Sequence, residues 1–190
     1  MDKPFITDKH FRKEDYTKTR LDRAEYEECI FETCQFQNGF LDNQNFTTCE
    51  FLACDLSNTN IKHTIFNDVL FKECKLIGLR FEDLNDSLLS VKFDNCQLDF
   101  ASFFKLRLKN TVFNDCSLLE VDFTETDLTN SSFPNCNLEK AIFKSTILNK
   151  ADLTSALNLT LNPESNQLKK ARFGKESVLG LLKKYDIVIE

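Results

Sequence analysis

The chain has no tryptophan, one methionine, three prolines, four glycines and two histidines among 190 residues. Each scarcity removes a class of function. Four scattered glycines supply no phosphate-cradling loop. His10 and His63 stand alone, and His63 falls at an outward position, so neither a metal cluster nor a His-based catalytic pair is expected. A net charge of -6 leaves no basic stripe for direct nucleic-acid binding. The N-terminal stretch MDKPFITDKHF has no apolar core of signal-peptide length, and nowhere do about 18 uncharged apolar residues run together, so a cytoplasmic protein without a membrane span is expected.

What is abundant is phenylalanine, nineteen times, in a fixed rhythm. From Thr111 to Leu153 the chain places Phe or Leu at every fifth position: Phe113, Leu118, Phe123, Leu128, Phe133, Leu138, Phe143, Leu148 and Leu153. Two places before each stands a small residue, among them Cys116, Thr126, Ser131, Cys136 and Ala141. Neither the helix period nor the strand period sustains a spacing of five, so the chain is a repeat array. The rhythm runs from Phe11 to Phe81, fails at Asp86, and resumes at Leu88.

A longer period of 20 gives the shape. Phe93, Phe113 and Phe133 match in kind, as do Leu98, Leu118 and Leu138, and Leu88, Leu108, Leu128 and Leu148. Four five-residue sides therefore make one turn of a square, all-β solenoid, in which like residues stack. A two-residue bulge within residues 82–87 joins the ladder Phe11, Phe31, Phe51, Phe71 to Phe93, Phe113, Phe133. The same bulge aligns Cys34, Cys54 and Cys74 with Cys96, Cys116 and Cys136. With Cys29 and Cys49, all eight cysteines occupy the small inward position, which reads as compact packing with free thiols. Residues 11–153 make roughly seven turns, a rod about 35 Å long at strand spacing.

The open ends need covers. Residues 1–10 are the expected N-terminal cap. Residues 154–190 read as a turn at Asn162-Pro163, an α-helix with Val178, Leu181, Leu182 and Tyr185 on one stripe, and a short strand over Ile187–Ile189. Core capping explains that helix most simply. A two-fold dimer interface through Val178, Leu179, Leu182 and Tyr185 is the close second reading, since Leu179 lies partly off the stripe.

The triplets Ala151-Asp152-Leu153, Cys136-Asn137-Leu138 and Val121-Asp122-Phe123 resemble the A(D/N)LXX pattern of the pentapeptide-repeat proteins, over about Phe11 to Leu153. The resemblance implies a right-handed quadrilateral β-helix. The C-terminal helical cap, the mid-chain interruption and the length are similar to the Qnr and microcin-immunity branch. Members of that branch are homodimers joined through the C-terminus, and they protect DNA gyrase or topoisomerase IV from quinolones or toxins by presenting a DNA-like rod. Where Qnr proteins of Gram-negative bacteria carry projecting loops, this chain has only the short 82–87 break, and no activity residues carry over.

Charge and exposed aromatics supply candidate partner-binding residues. The turn from Phe113 to Ser132 holds Asp115, Glu120, Asp122, Glu125 and Asp127 with no Lys or Arg, and a second belt holds Glu25, Glu27, Glu28, Glu32, Asp42 and Glu50. Phe100, Phe104 and Leu119 should point outward, with Phe40 a further candidate. Duplex DNA presents about 20 charges over the rod's length, so the protein is a partial mimic at best. The expectation is a non-enzymatic interaction protein without cofactor, with a type II topoisomerase as partner. The rival is a structural or scaffolding protein whose partner is unrelated to DNA.

Overall fold

In the computed structural model, which describes residues 3–185, 187 and 188, the chain winds into a β-solenoid of about eight coils. Successive coils are related by 20 residues: Phe11 pairs with Phe31, Phe31 with Phe51, and Phe51 with Phe71. Each coil has four sides, and each side buries one centre residue. First-side centres run from Phe11 to Leu153, and second-side centres are Tyr16, Phe36, Leu56, Leu76, Leu98, Leu118 and Leu138. Third-side centres run from Leu21 through Phe81 to Phe143, and the fourth side carries Ile6, Tyr26, Phe46 and Phe66, then Leu108, Leu128 and Leu148.

Strands form on the first and fourth sides of the lower coils. On the fourth side β1 (Phe5–Thr7), β3 (Glu25–Glu27), β5 (Asn45–Thr47) and β7 (Ile65–Asn67) make a four-stranded sheet. On the first side β2 (His10–Arg12), β4 (Ile30–Glu32), β6 (Glu50–Leu52), β8 (Val69–Lys72), β9 (Val91–Asp94) and β10 (Phe113–Asn114) make a six-stranded one. At the top β11 (Asp152–Leu153) pairs with β12 (Arg172–Phe173). All these pairings are parallel, and single bridges such as Ser102↔Asp122 continue the ladders elsewhere.

Sequence explains both inside and corner. A five-residue side is too short to bury its own centre, so centres bury one another: Phe11, Phe31 and Phe51 stack with centroids 4.7 and 4.8 Å apart. Each such burial contributes roughly 1.5–3 kcal/mol, against the cost of ordering the chain. The small inward residue does more than fill space. Thr59, Thr126, Thr146 and Ser131 each donate a hydroxyl proton to a carbonyl 23 residues earlier, and the thiols of Cys54, Cys74 and Cys136 do the same. A short polar donor at this position satisfies a buried carbonyl lone pair, which is why Cys, Ser and Thr recur there.

Corners need a left-handed residue every five positions. Asn38, Asn43, Asn58, Asn95, Asn110 and Asn130 have φ between 52 and 60°, the region Asn tolerates best. At Gly78, φ is +68° and a Cβ would lie 2.4 Å from Asn58 Oδ1, so a side chain here would have to displace the Asn58 amide.

The register steps from 20 to 22 at mid-chain, where Val69 pairs with Val91 and Phe71 with Phe93. Asn85 still donates to Thr64 O, while Ser90 donates to Phe66 O, so the two extra residues sit within 86–89. There Asp86–Leu88 form one 3-10 turn, with Asn85 Oδ1 accepting from Ser87 N–H. That turn corrects one expectation: Leu88 is not a core rung. It is 58% exposed, and Leu89 packs against the core in its place.

The coiling also runs past both expected limits. Phe5–Thr7 pair with Glu25–Glu27, so much of the expected 1–10 cap is the first coil, and Gln167 and Arg172 pair with Ile147 and Asp152. This is why there are about eight turns rather than seven.

The expected α-helical cap is not formed: the described residues contain no α-helix. Ser177–Leu181 and Lys183–Tyr185 are short 3-10 turns. Gly180 is pressed against the last coil so closely that a Cβ would lie 1.9 Å from Leu159 O, and one at Gly174 would lie 2.2 Å from Thr154 O. A segment this short cannot sustain a helix by itself, and docking dictates its tighter winding. Of the expected strand at Ile187–Ile189, Ile187 and Val188 are irregular, and Ile189 lies outside the described residues.

Candidate partner-binding surfaces

Outward positions stack across coils just as inward ones do, so each surface charge has its neighbours about 20 residues away rather than along the chain. This changes the reading of the ring from Asp115 to Asp127. Lys140 lies 3.4 Å from Glu120, Lys105 lies 3.7 Å from Glu125, and Lys109 lies 3.2 Å from Asp127. Asp115 accepts from Asn135 Nδ2, and Asp122 from Thr124 N–H. Asp122 and Asp127 are half-buried. The ring is therefore cross-tied to basic groups above and below it.

The lower belt is different. Residues 24–61 contain seven carboxylates and no Lys or Arg. Two are answered from the first coil: Asp42 by Arg20 and Arg23, and Glu32 by Arg12 and His10. The Arg12 guanidinium, with His10 adding to it, holds the Glu32 carboxyl below its usual range. Glu25, Glu27, Glu28 and Glu50 have no Lys, Arg or His within ion-pair distance among the described residues. On the outer first side a shallow groove of about 460 Å³ is lined by Thr33, Leu52, Ala53 and Leu70 together with Glu32, Glu50, Glu73 and Lys72.

The exposed aromatics are not brought into one patch. Phe100 occupies a left-handed corner at φ 60° and is 54% exposed, whereas Phe104 is half-buried at the far end of the same side under the Lys105 ammonium. Leu119 is half-buried. Phe40 lies on the third side of another coil, its ring 3.8 Å from the Arg20 guanidinium. At the C-terminal end Val178, Leu179 and Tyr185 are exposed and Leu182 is half-buried. Tyr185 Oη and Lys184 Nζ both bond Glu164.

The chemistry of the inward residues is that of packing. All eight cysteines are buried and unpaired by disulfides, and Phe93, Phe113 and Phe133 form one stack with 5.1 and 5.0 Å between centroids. Burial pushes the Cys49 thiol up to about 12, and Cys29 and Cys74 upward as well. Such thiols make poor nucleophiles. No three His, Cys, Asp or Glu groups converge as metal ligands among the described residues, and no helix there is long and apolar enough to cross a membrane.

A family model described as a pentapeptide repeat region matches residues 44–123 and 86–173. No curated protein matches the chain by sequence. Among solved structures, a trypsin-treated variant of QnrB1, a plasmid-mediated fluoroquinolone resistance protein, superposes with a TM-score of 0.64 at 15% identity, covering 98% of this chain and all of that one. A second trypsin-treated QnrB1 variant gives 0.54 at 14% identity, with both chains fully covered. HetL, a pentapeptide-repeat protein of the cyanobacterium Nostoc sp. involved in heterocyst differentiation, gives 0.42 at 15% identity, with 90% and 86% covered.

Proposed function

This chain belongs to the pentapeptide-repeat family, and from that premise we propose that it is a non-catalytic, right-handed interaction rod whose lower acidic belt docks a DNA-binding protein, with a type II topoisomerase as the first candidate. The observation that carries this reading is the 24–61 segment, with its seven carboxylates and no basic residue. Two coils span about 10 Å, over which duplex DNA carries about six charges. Five carboxylates without a cation partner among the described residues, Glu25, Glu27, Glu28, Glu50 and Asp55, bring the belt near that density, although the whole molecule falls far short of it. The Asp115–Asp127 ring is a weaker element of the same surface because three of its five carboxylates are paired with lysines. The apolar C-terminal surface around Val178, Leu179 and Tyr185 is the proposed homodimer interface, and the compartment is the cytoplasm.

A second reading, a scaffold whose partner is unrelated to DNA, is favoured by one feature: the apolar part of the belt groove's lining. Leu52 and Leu70 would meet an apolar side chain of a protein, for which a charged duplex has no equivalent. Gyrase supercoiling with and without ciprofloxacin separates the two. The topoisomerase reading predicts inhibition, or protection from the drug, at micromolar protein. The scaffold reading predicts no effect.

A further inference from the structure

The two ends of the solenoid are finished differently. At the top, the 3-10 turns lie across the last coil and bury Ser177 and Gly180 against it. At the bottom, β1 and β2 are the terminal strands of their two sheets. In later coils the amide of each side's leading residue donates downward, as Ile30 N–H does to Lys9 O and Gln35 N–H to Glu14 O, while carbonyls such as Glu27 O and Glu32 O accept from below. In the first coil the equivalent groups are His10 and Asp15 N–H and the Thr7 and Arg12 carbonyls. Among the described residues they have no coil beneath them.

The floor of that coil is apolar, and no described residue covers it. Ile6, Phe11 and Tyr16 are only half-buried, whereas the rungs above them, Tyr26, Phe31 and Phe36, are 1% exposed or less, and Phe5 is 63% exposed. The rim is basic. Residues 3–23 hold Lys3, Lys9, Arg12, Lys13, Lys18, Arg20 and Arg23 against Asp8, Glu14, Asp15 and Asp22, and of these cations Arg12, Arg20 and Arg23 already pair with Glu32 and Asp42 of the next coil. Lys9 and Lys13 are exposed with no carboxylate within ion-pair distance among the described residues.

We propose that this open first coil is a docking edge for an acidic, extended segment of a partner protein carrying apolar residues five apart. Such a segment would continue the solenoid downward by one further partial coil. Its backbone would take up the free edge groups, its apolar residues would cover Phe11 and Tyr16, and its carboxylates would meet Lys9 and Lys13. Charge argues against a second copy as occupant. Head to head, the basic rims repel, and head to tail, the edge meets a cap that itself carries Lys169, Lys170, Arg172, Lys175, Lys183 and Lys184. This edge adjoins the acidic belt through the Arg12, His10, Arg20 and Arg23 ion pairs, but the free edge groups and Lys9 and Lys13 take no part in the belt, so the inference does not depend on the topoisomerase reading.

The probe is a labelled synthetic peptide copying residues 25–36 of this chain, with alanine at its two cysteines, because that acidic stretch already stacks on the first coil from above. Fluorescence anisotropy with the full-length protein should show saturable binding. A peptide with lysine at every glutamate should bind no better than a scrambled one. Lys9→Glu with Lys13→Glu should weaken binding by at least about tenfold. His10→Pro, which removes a downward amide, should do likewise while shifting the melting midpoint by no more than about 4 °C. Equal binding of the acidic and lysine peptides, unchanged affinity in the Lys9/Lys13 variant, absence of saturation, or displacement of the peptide by a single-stranded oligonucleotide would each overturn the proposal.

Discussion

Below the mid-chain break and above it, the solenoid fills the same interior in two ways. In the lower coils the aromatic ladders stand on adjacent sides: Phe31 and Phe51 on the first, Tyr26, Phe46 and Phe66 on the fourth, with Phe46 meeting Phe51 edge-on at 5.3 Å. In the upper coils they stand on opposite sides, Phe93, Phe113 and Phe133 facing Phe103, Phe123 and Phe143, with Phe113 and Phe123 edge-on at 5.9 Å. The first-side stack crosses the break unbroken, at 5.6 Å from Phe71 to Phe93. The second ladder changes side there, ending at Phe66 on the fourth and starting at Phe81 on the third. What must be conserved along the rod is the filled volume, not the side that fills it. The outer surfaces diverge too, since the upper acids are tied to lysines and the lower ones are largely free.

This contrast can be broken first in the core. Phe113→Ala removes a ring with neighbours above, below and across, and should cost about 3–5 kcal/mol. Phe66→Ala, with no ring above it on its own side, should fall at the lower end, about 3 kcal/mol. Urea unfolding at equilibrium measures both, and equal losses would mean that the change of side has no energetic consequence.

The next pair tests the break itself. Leu108 is buried and Leu88 is exposed, although both fall on one 20-residue line in the sequence. Leu108→Ala should cost about 2–5 kcal/mol, and Leu88→Ala should stay within about 0.5 kcal/mol. A large loss at Leu88 would place it back in the ladder.

The smallest effect concerns the upper end, which is closed where the lower is open. Lys184, with Tyr185 adding to it, holds the Glu164 carboxyl below its ordinary 4.5, and Glu164 in turn holds Lys184 above 10.5. The lowered carboxyl contributes above 4.5 and loses its contribution as pH falls through its folded value. The raised ammonium contributes below 10.5 and loses its contribution as pH rises through its folded value. The latch is thus complete between those limits. NMR contacts between Tyr185 and Glu164 should fade below that window while core resonances persist. Contacts that survive full protonation of Glu164 would show that packing alone holds the cap.

Much of this was legible because one residue type marks the repeat. Phenylalanine or leucine every five positions revealed the sides, and cysteine every twenty revealed the register, including its step of two. Legibility failed where a neighbouring coil overrules local pattern. Val178, Leu181, Leu182 and Tyr185 keep helical spacing, yet the closeness of Gly174 and Gly180 to the carbonyls of Thr154 and Leu159 dictates 3-10 winding. Leu88 kept the rhythm, yet a turn capped by Asn85 handed its place to Leu89. The acidic ring looked unopposed along the chain. Its lysines stand 18–20 residues away, and the 20-residue period was already enough to find them.

The lower belt, rather than the upper ring, is the proposed working surface. Two charge-reversed proteins compare them in one gyrase supercoiling assay with ciprofloxacin: Glu25→Lys, Glu27→Lys, Glu28→Lys and Glu50→Lys in the belt, against Glu120→Lys, Asp122→Lys and Glu125→Lys in the ring. The unaltered protein should act at micromolar concentration, belt reversal should weaken the effect by at least about tenfold, and ring reversal should weaken it by less. Equal loss from both, greater loss from the ring, or no effect of the unaltered protein would contradict the proposal.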